Sequence, residues 1–433
     1  MKKEEIIQSV KEKKIEFVEL KFSDIYGNPK SFTYSIDKLD EILNHGVFFD
    51  GSSIGGLSEI EKSDMMLKPD IETAFILPEK KSIRFIADIY TSTGEPAKSP
   101  RNILKKLVEE LKEKKIYPKI GAEIEFHLLL KEGRKLKPID NGSYLNSRED
   151  SAKKLREELM LSLKNHKIDV DIIHHEVGPG QQEIGFKYGS PVETADRIIE
   201  LKRIIKKISS NYNYIAVFSP KPFFKKAGSG MHIHISLFDE NGKNIFYDKK
   251  EKISEKAKNF IAGELKYIKE ISAVTNPLVN SYKRLVKGFE APVYICYGFS
   301  NRSSLIRIPL CNGNAEKATR IEIRSPDASC NPYLAFALLI KAGVDGIKEK
   351  LPCPEPVEEN VYEFNESELK KRKIDVLPES LGESVKFMEK SRLSEDFLGK
   401  KLFDFYIKDR TEEWKTFLSS VTDWELKNNI LKT

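Results

Sequence analysis

The stretch Gly228-Ser229-Gly230-Met231-His232-Ile233-His234-Ile235-Ser236 joins a glycine-rich turn to a strand with strict polar–apolar alternation. Alternate side chains of a β-strand lie on one face, so His232, His234 and Ser236 point one way and the isoleucines between them point the other way. If the polar face of this strand were simply exposed to water, any polar residue would serve there, and the histidines would have no particular explanation. Because carboxylates repeat the same alternation elsewhere in the chain, the stretch predicts one wall of a metal site.

A second strand, Gly121-Ala122-Glu123-Ile124-Glu125-Phe126, places two carboxylates on one face. Neighbouring carboxylates repel each other, and a cation bound between them removes that cost. The alternative interpretation is an edge strand whose acidic side chains lie in water. The strand therefore predicts metal ligands if other acidic residues converge on it.

Two further segments supply such residues. Glu176 and Glu183 flank a Gly-Pro-Gly turn, which lets the chain double back so that both can face a common point. In the segment 320–324, Glu322 lies between two arginines on one face. With His232, the set holds five glutamates, and such oxygen-dominated ligands select Mg²⁺ or Mn²⁺. The set exceeds what one octahedral ion needs, so we expect two or more ions.

Arginines accompany these acids in the second half of the chain, at positions 284, 302, 307 and 324. A guanidinium group binds carboxylate and phosphate bidentately, although for any single arginine a surface ion pair is the better explanation. Metal ions with several arginines indicate phosphoryl transfer from a nucleotide. The chain has no GxxxxGK[ST] motif, so the nucleotide must be held by something other than a P-loop.

Length and composition exclude several classes of protein. A chain of 433 residues with 39% hydrophobic residues predicts two domains rather than disorder. The net charge of +6 is small beside 73 basic and 67 acidic residues, which argues against a nucleic-acid partner. The four cysteines lack CxxC spacing, and we find neither a signal peptide nor a membrane-spanning stretch. We therefore expect a soluble cytoplasmic protein.

The organisation of the chain follows from its turns and periodicities. Residues up to about 90 mix short apolar runs with turns, as a small α+β domain does, and residues 92–96 form a turn-rich boundary. Helical spacing predicts helices over 100–113, 151–166, 191–209 and 331–348. Residues 367–372 are a charged loop or helix end.

Several of these motifs occur in one order along the chain, from Asp50-Gly-Ser-Ser-Ile through the segments quoted above to Arg324-Ser-Pro-Asp327. In that order they closely resemble the glutamine synthetase family, type I of bacteria and archaea, in its shorter unadenylylated subgroup. The resemblance implies an α+β fold, with an N-terminal β-grasp-like domain over 1–97 and a larger α/β catalytic domain over 98–433 that holds a partial barrel of antiparallel strands. It also implies a homododecamer of two hexameric rings, with active sites between neighbouring subunits.

The resemblance further implies a reaction and its residues. ATP phosphorylates the side chain of L-glutamate, and ammonia then displaces phosphate. One metal ion is matched by Glu125, Glu176 and Glu183, and the second by Glu123, His232 and Glu322. The catalytic residues implied are Asp50 (from a neighbouring subunit), Glu290 of a closing flap, Arg302 and Arg324. The substrate-binding positions are Gly228, Arg284, Glu290, Arg302 and Arg324, and the ATP-binding positions are Tyr188, His234, Ser236, Arg302, Arg307 and Lys317.

The chain departs from the family pattern at a few positions. Ala227 stands where the family usually has asparagine before Gly-Ser-Gly, so an amide near the bound amino acid is missing. Glu59 inverts a charge linked to feedback inhibition, and Tyr362 lacks the sequence context of the adenylylated subgroup. Two alternatives stay open: a γ-glutamyl ligase for a polyamine or another amine, and a weakly active regulatory paralogue. Asp50 and Asp64 favour ammonia, because an acidic pocket suits a small cation.

Overall fold

A computed structural model describes residues 3–133, 135–145, 150–311 and 313–430. Its first part is a five-stranded sheet in the order β2-β1-β5-β4-β3, in which β1 and β5 are parallel and the other neighbours are antiparallel. The alternating apolar residues of its strands pack on the first helix to form a separate small core. The elements are α1 (Lys3–Glu12), β1 (Phe17–Ser23), β2 (Pro29–Ser35), α2 (Leu39–His45), β3 (Val47–Asp50), β4 (Asp64–Leu77) and β5 (Ser82–Thr91).

The second part is built on a nine-stranded sheet. Its strands are β6 (Tyr117–Glu132), β7 (Lys135–Pro138), β8 (Val170–His175), β9 (Gln181–Gly189), β10 (Ile215–Val217), β11 (Met231–Phe238), β15 (Tyr297–Phe299), β16 (Ile306–Ile308) and β17 (Ile321–Ile323); the pairs β12 (Tyr247–Asp248) with β13 (Lys252–Ile253) and β14 (Tyr294–Ile295) with β18 (Asp375–Val376) lie apart. The order is β15-β16-β17-β11-β6-β9-β8, and β7 and β10 also pair with β6. The neighbours are antiparallel except for β15 and β16, which are parallel.

Strand β6 lies in the middle of this sheet, paired with β11 on one side and β9 on the other. The edge-strand interpretation of residues 121–126 is therefore wrong. Both faces of the strand are covered, because helices pack on the apolar face and other chain segments close over the acidic face. Glu125 is consequently buried rather than placed in water.

Helices pack on the apolar face of the second sheet. The helices that follow the first part of the chain are α3 (Pro100–Glu113), α4 (Lys153–Asn165), α5 (Pro191–Asn211), α6 (Glu255–Thr275), α7 (Ser281–Arg284), α8 (Ala315–Ala318), α9 (Pro332–Glu349), α10 (Glu366–Arg372), α11 (Leu381–Met388), α12 (Arg392–Leu398), α13 (Lys400–Ser419) and α14 (Asp423–Asn428). The four helices predicted from spacing are present within a few residues of their expected ends. Residues 366–372 form a short helix. No helix of the described residues is long and apolar enough to cross a membrane.

Helix α9 is the centre of the larger core. It begins where the side chain of Asn331 accepts a hydrogen bond from the Tyr333 N–H and Pro332 occupies the first turn. It packs so closely on α6 that a Cβ atom on Gly263 or Gly346 would collide with the backbone of the other helix. Glycines at this crossing therefore set how near the two helices lie.

One buried acid in this core has no role in the cavity described below. Glu264 on α6 is fully buried, and neither carboxylate oxygen has a hydrogen-bond partner among the described residues. Burial raises the pKa of Glu264 well above the usual 4.5, so the folded protein keeps a proton that the unfolded chain releases. The folded state therefore loses stability relative to the unfolded state as pH rises above 4.5.

We expect Glu264→Met to raise the thermal unfolding midpoint at pH 8, since an apolar side chain fills the same site without a buried acid. The difference in unfolding free energy between the two proteins should grow by about 1.4 kcal/mol per pH unit between pH 5 and the raised pKa. Differential scanning fluorimetry over pH 5 to 8 measures the unfolding midpoints of the two proteins, with Glu270→Met on the same helix as the control. A lower midpoint for Glu264→Met would contradict the prediction.

Candidate active site

Strand register brings the predicted metal ligands together. Glu125 of β6 lies opposite Glu183 of β9, and Glu123 lies opposite His232 of β11. On the far side of β11, His234 lies opposite Glu322 of β17. Because paired residues of antiparallel strands place their side chains on the same face, these groups converge over one surface of the sheet.

That surface forms the floor of a cavity of about 510 Å³. Its lining includes the six predicted metal ligands, four predicted arginines, the predicted flap acid, and the glycine and alanine of the glycine-rich turn: Glu123, Glu125, Glu176, Glu183, His232, Glu322, Arg284, Arg302, Arg307, Arg324, Glu290, Gly228 and Ala227. The structure thus brings most of the predicted site residues to one place. Their individual roles stay predictions.

One half of the cavity has its negative charge balanced. The two oxygens of Glu322 accept hydrogen bonds from Arg324 Nη1 at 2.5 Å and from Arg307 Nη1 at 2.7 Å. Burial opposes ionisation, but the charges of His232 and Arg324 outweigh it and lower the pKa of Glu322 to about 2. Of the two arginines that flank Glu322 in the sequence, Arg324 reaches its carboxylate, whereas Arg320 Nε contacts His234 Nδ1 at 3.3 Å.

The other half carries unbalanced negative charge. Burial, with Glu125 and Glu183 nearby, raises the pKa of Glu176 to about 7. Burial also raises the pKa of Glu125, and the charge of Glu183 adds to the effect. Two buried carboxylates, Glu125 and Glu183, and the half-buried Glu176 repel one another, and a divalent cation would relieve that repulsion, so the residues present fit a metal ion.

Two groups of ligand atoms are close enough to share one ion. In each group the atoms lie within 4.8 Å of one another: Glu123, Glu183 and His232 form one, and His174, Glu176 and Glu183 form the other. This grouping differs from the predicted pairing of ligands, because Glu183 belongs to both groups. Sequence analysis missed His174, although it precedes Glu176 by two residues at the end of β8 and that spacing could have revealed it.

A glutamine behind the ligands was also missed. Gln181 Nε2 donates hydrogen bonds to Glu125 Oε2 and to the Gly228 carbonyl, each at 2.9 Å. The Gly230 N–H donates to the same Glu125 oxygen at 3.0 Å. Such groups orient a ligand and fix its basicity. Gln181 follows the Gly-Pro-Gly turn directly, but its contact to Glu125 depends on strand register and has no local sequence pattern.

The glycines of the turn are required by close packing. A Cβ atom on Gly228 would collide with the Pro220 carbonyl, and one on Gly230 would collide with the Arg284 guanidinium. Arg284 is buried, and it donates hydrogen bonds to the Ser325 carbonyl at 2.8 Å and the Arg324 carbonyl at 3.0 Å. The turn and this arginine thus form one rigid wall of the cavity.

Glu290 lies on an irregular segment over the cavity. Its φ of 57° lies in the left-handed region, which a residue with a Cβ rarely adopts. Its carbonyl accepts a hydrogen bond from Arg324 Nη2 at 3.3 Å. Strained backbone of this kind is typical of functional sites.

Four predicted ATP-binding residues lie outside the described lining of the cavity. His234 Nε2 is 3.0 Å from Glu123 Oε1, and His234 and Tyr188 flank Gly121 on β6. Ser236 is on the same strand face as His234, whereas Lys317 lies on α8. Of these four, none is among the described residues that line the cavity.

Asp50 lies at the exposed end of β3, where it accepts hydrogen bonds from the Ser52 N–H and from the Ser52 and Ser53 hydroxyls. These hydrogen bonds lower the pKa of its carboxyl, led by the one from the Ser52 hydroxyl. Strand register places it opposite Asp64. Asp50 does not line the cavity of its own chain among the described residues, so its predicted contribution to a neighbouring subunit stays a prediction.

Comparisons with known proteins give the same picture over the whole chain. Residues 14–92 match the glutamine synthetase β-grasp domain, and residues 97–429 match the glutamine synthetase catalytic domain. Glutamine synthetase of Methanocaldococcus jannaschii is 42% identical, with 98% of this chain and 97% of that protein covered. Glutamine synthetase of Thermotoga maritima is 41% identical, with 99% of each covered.

Solved structures share the fold. A GmaS/ADP complex superposes with a TM-score of 0.88 at 28% identity, covering 98% of this chain and 99% of that one. Glutamine synthetase of Plasmodium falciparum, solved by cryo-electron microscopy, gives 0.88 at 27% identity, with 99% of each chain covered. The predicted α+β fold, with an N-terminal β-grasp domain and a partial barrel, is confirmed.

Proposed function

The chain belongs to the glutamine synthetase family, and we propose that the cavity floored by β6, β9, β11 and β17 is where it ligates ammonia to L-glutamate with consumption of ATP. The activity is that of an ATP-dependent glutamate–ammonia ligase. The observation that carries the assignment to this cavity is the convergence of buried carboxylates and arginines on one floor. Such a site can neutralise the charge of a phosphoryl group in transfer.

The family uses divalent metal ions and ATP. We assign Glu125, Glu176 and Glu183 to one Mg²⁺ or Mn²⁺ ion and Glu123, His232 and Glu322 to a second. When bound, the ions neutralise phosphate oxygens and polarise the transferring group. The unbalanced charge around Glu176 supports a cation in the first position.

The residues of this chain then have the following tasks. Arg284 and Gly228 bind glutamate, and Arg302, Arg307 and Arg324 neutralise phosphate. The side-chain carboxylate of glutamate attacks the γ-phosphorus of ATP, the bond from phosphorus to ADP oxygen breaks, and γ-glutamyl phosphate forms. Ammonia then attacks the carbonyl carbon and phosphate leaves. Glu290 covers the site and accepts a proton from the attacking nitrogen.

Nucleotide and ammonium are assigned to flanking residues. We propose that Tyr188, His234, Ser236 and Lys317 bind ATP together with Arg302 and Arg307; the ADP named for the structurally similar GmaS complex supports a nucleotide in this fold. Asp50 of a neighbouring subunit would receive ammonium and remove its first proton. The exposed position of Asp50, away from the cavity of its own chain, supports supply from a neighbour.

Assembly and location follow from the same premise. We propose a homododecamer of two hexameric rings, which native mass spectrometry can measure directly. We also propose a cytoplasmic location, which the four free cysteines support.

The assay that tests the function compares acceptors. Purified protein with ATP, glutamate and Mg²⁺ or Mn²⁺ receives ammonium or one of a panel of amines that includes polyamines, and both phosphate and amide product are measured. We expect product with ammonium. Product with an amine and none with ammonium would overturn the proposal in favour of a γ-glutamyl ligase, and no turnover with any acceptor would favour a regulatory protein.

Ala227 offers a test of substrate binding. It lines the cavity beside Gly228, at the position where the family pattern has an asparagine. We expect Ala227→Asn to lower KM for glutamate about fivefold with kcat little changed, since an added hydrogen bond stabilises the bound amino acid. Steady-state kinetics measure it, with Ala227→Ser as a control that lacks the amide. An unchanged or higher KM would contradict the prediction.

A further inference from the structure

The segment that carries Glu290 is contacted from three separate parts of the chain. We call residues 288–291 the flap segment. Each of its last three residues meets a different partner: Lys221 Nζ lies 3.6 Å from the centroid of the Phe289 ring, Arg324 Nη2 donates to the Glu290 carbonyl at 3.3 Å, and the Tyr362 hydroxyl donates to the Ala291 carbonyl at 2.8 Å. Successive residues are thus fixed by unrelated elements.

The first three residues of the flap segment depend on such contacts, whereas Ala291 at its end is buried in the core. The segment belongs to no helix or strand, and its first residue, Gly288, is exposed together with the two residues before it. Glu290 itself is exposed and has a φ of 57°. A backbone conformation of that kind persists where the surroundings impose it.

Lys221 is well placed to impose it. Its backbone N–H donates to Asn280 Oδ1 at 2.7 Å, and Asn280 Nδ2 donates to its carbonyl at 3.1 Å. Its ammonium also donates to the Lys226 carbonyl. Since Asn280 directly precedes the helix that carries Arg284, the cation over Phe289 is tied to the wall of the cavity.

Tyr362 is fixed from the other side. It lies in a 3₁₀ turn, Val361–Glu363, which the Asn360 side chain caps. The Val361 N–H donates to Ser303 Oγ at 3.0 Å, and Ser303 follows Arg302. Tyr362 therefore joins the flap segment to the turn between β15 and β16, which carries a proposed phosphate-binding arginine.

We propose that Lys221 and Tyr362 are positioning residues that hold Glu290 over the cavity, an inference that rests on the proposed role of Glu290. Neither touches the reacting atoms. If the flap segment loosens, water reaches γ-glutamyl phosphate: its oxygen attacks the carbonyl carbon, the bond to the phosphate oxygen breaks, and glutamate and phosphate result. ATP is then consumed without formation of glutamine.

The test measures this uncoupling. In Tyr362→Phe and Lys221→Met, the ratio of phosphate released to glutamine formed should rise about threefold or more, because a hydrogen bond or a cation–π contact is lost. Lys221→Arg keeps a cation over the ring and should retain the wild-type ratio. Hydrogen exchange of the peptide 286–292, measured by mass spectrometry without substrates, should be faster in the first two variants.

Remote variants of the same chemistry serve as controls. The Tyr267 hydroxyl contacts Glu349 at 3.3 Å, and Lys266 Nζ lies 4.6 Å from the Tyr267 ring centroid, where the middle of α6 meets the last residue of α9. Tyr267→Phe and Lys266→Met should change neither the ratio nor the exchange of peptide 286–292.

The outcomes separate this inference from the function on which it rests. A wild-type ratio and unchanged exchange in both Tyr362→Phe and Lys221→Met overturn it, as does slower turnover with an unchanged ratio and exchange, which indicates a purely structural effect. Wild-type turnover of the Glu290→Ala variant would refute the proposed role of Glu290. Even then, faster exchange in Tyr362→Phe would support the part of the inference that concerns the flap segment.

Discussion

Glu290→Ala is expected to reduce glutamine formation about 1000-fold, since a residue that accepts a proton at the reacting centre contributes a factor of this order. The same variant should leave the oligomer intact, because the Glu290 side chain is exposed and no described contact of its carboxylate holds another element. Phosphate release should fall less than glutamine formation. The reason is that glutamate can still be phosphorylated while the acyl phosphate is no longer shielded from water.

Coupled assays for phosphate and glutamine, together with native mass spectrometry, measure the three quantities. Glu412→Ala, on an exposed position of α13, is the matched control and should behave as the wild type. Wild-type turnover in Glu290→Ala would refute the assignment of Glu290 as the flap acid. Loss of assembly would instead show that the residue is structural.

Local patterns in the sequence were sufficient to predict the long helices and the strands that carry the site. Proline after a polar cap begins α5 and α9, and both helices lie where apolar spacing predicts them. Strict alternation in residues 121–126 and 231–236 also predicts which side chains share a face, and Glu123, Glu125 and His232 do face one cavity. These inferences depend on neighbours along the chain, which a sequence displays.

Contacts set by strand order were not accessible in the same way. Arg307 reaches Glu322 because β16 pairs with β17, and the arginine nearer in sequence, Arg320, turns to His234 instead. Gln181 reaches Glu125 by register between β9 and β6. Each contact depends on which strands are adjacent in the sheet. Local patterns in a single sequence do not show strand adjacency, so these contacts became visible only in the folded structure.

The division of charge across the cavity floor also required the structure. Acidic residues look alike in the sequence, yet Glu322 lies between two guanidinium groups whereas Glu176 lies near other carboxylates. The two halves must therefore respond oppositely to the loss of one negative charge. That contrast yields the second large prediction.

In the metal-free protein, we expect Glu125→Gln to stabilise the fold and Glu322→Gln to destabilise it. The first removes a carboxylate whose charge is disfavoured by burial and by Glu183, although His232 partly offsets this, and a repulsion of that kind is worth about 1 to 4 kcal/mol. The second leaves Arg324, which is 3% exposed, without its counter-charge, at a cost of about 3 kcal/mol. Both variants should lose most catalytic activity, because each removes a proposed metal ligand.

Thermal unfolding in the presence of a chelator measures the two stabilities, and Glu412→Gln supplies the baseline for an exposed acid. Addition of Mn²⁺ should raise the midpoint of the wild type strongly and that of either cavity variant less, since a ligand that binds the folded state stabilises it by an amount that rises with the ratio of ligand concentration to Kd. Midpoints that shift in the same direction for Glu125→Gln and Glu322→Gln without metal would contradict the division of charge. The opposite shifts follow because a carboxylate among carboxylates opposes folding until a cation binds, whereas a carboxylate between guanidinium groups already has its partners.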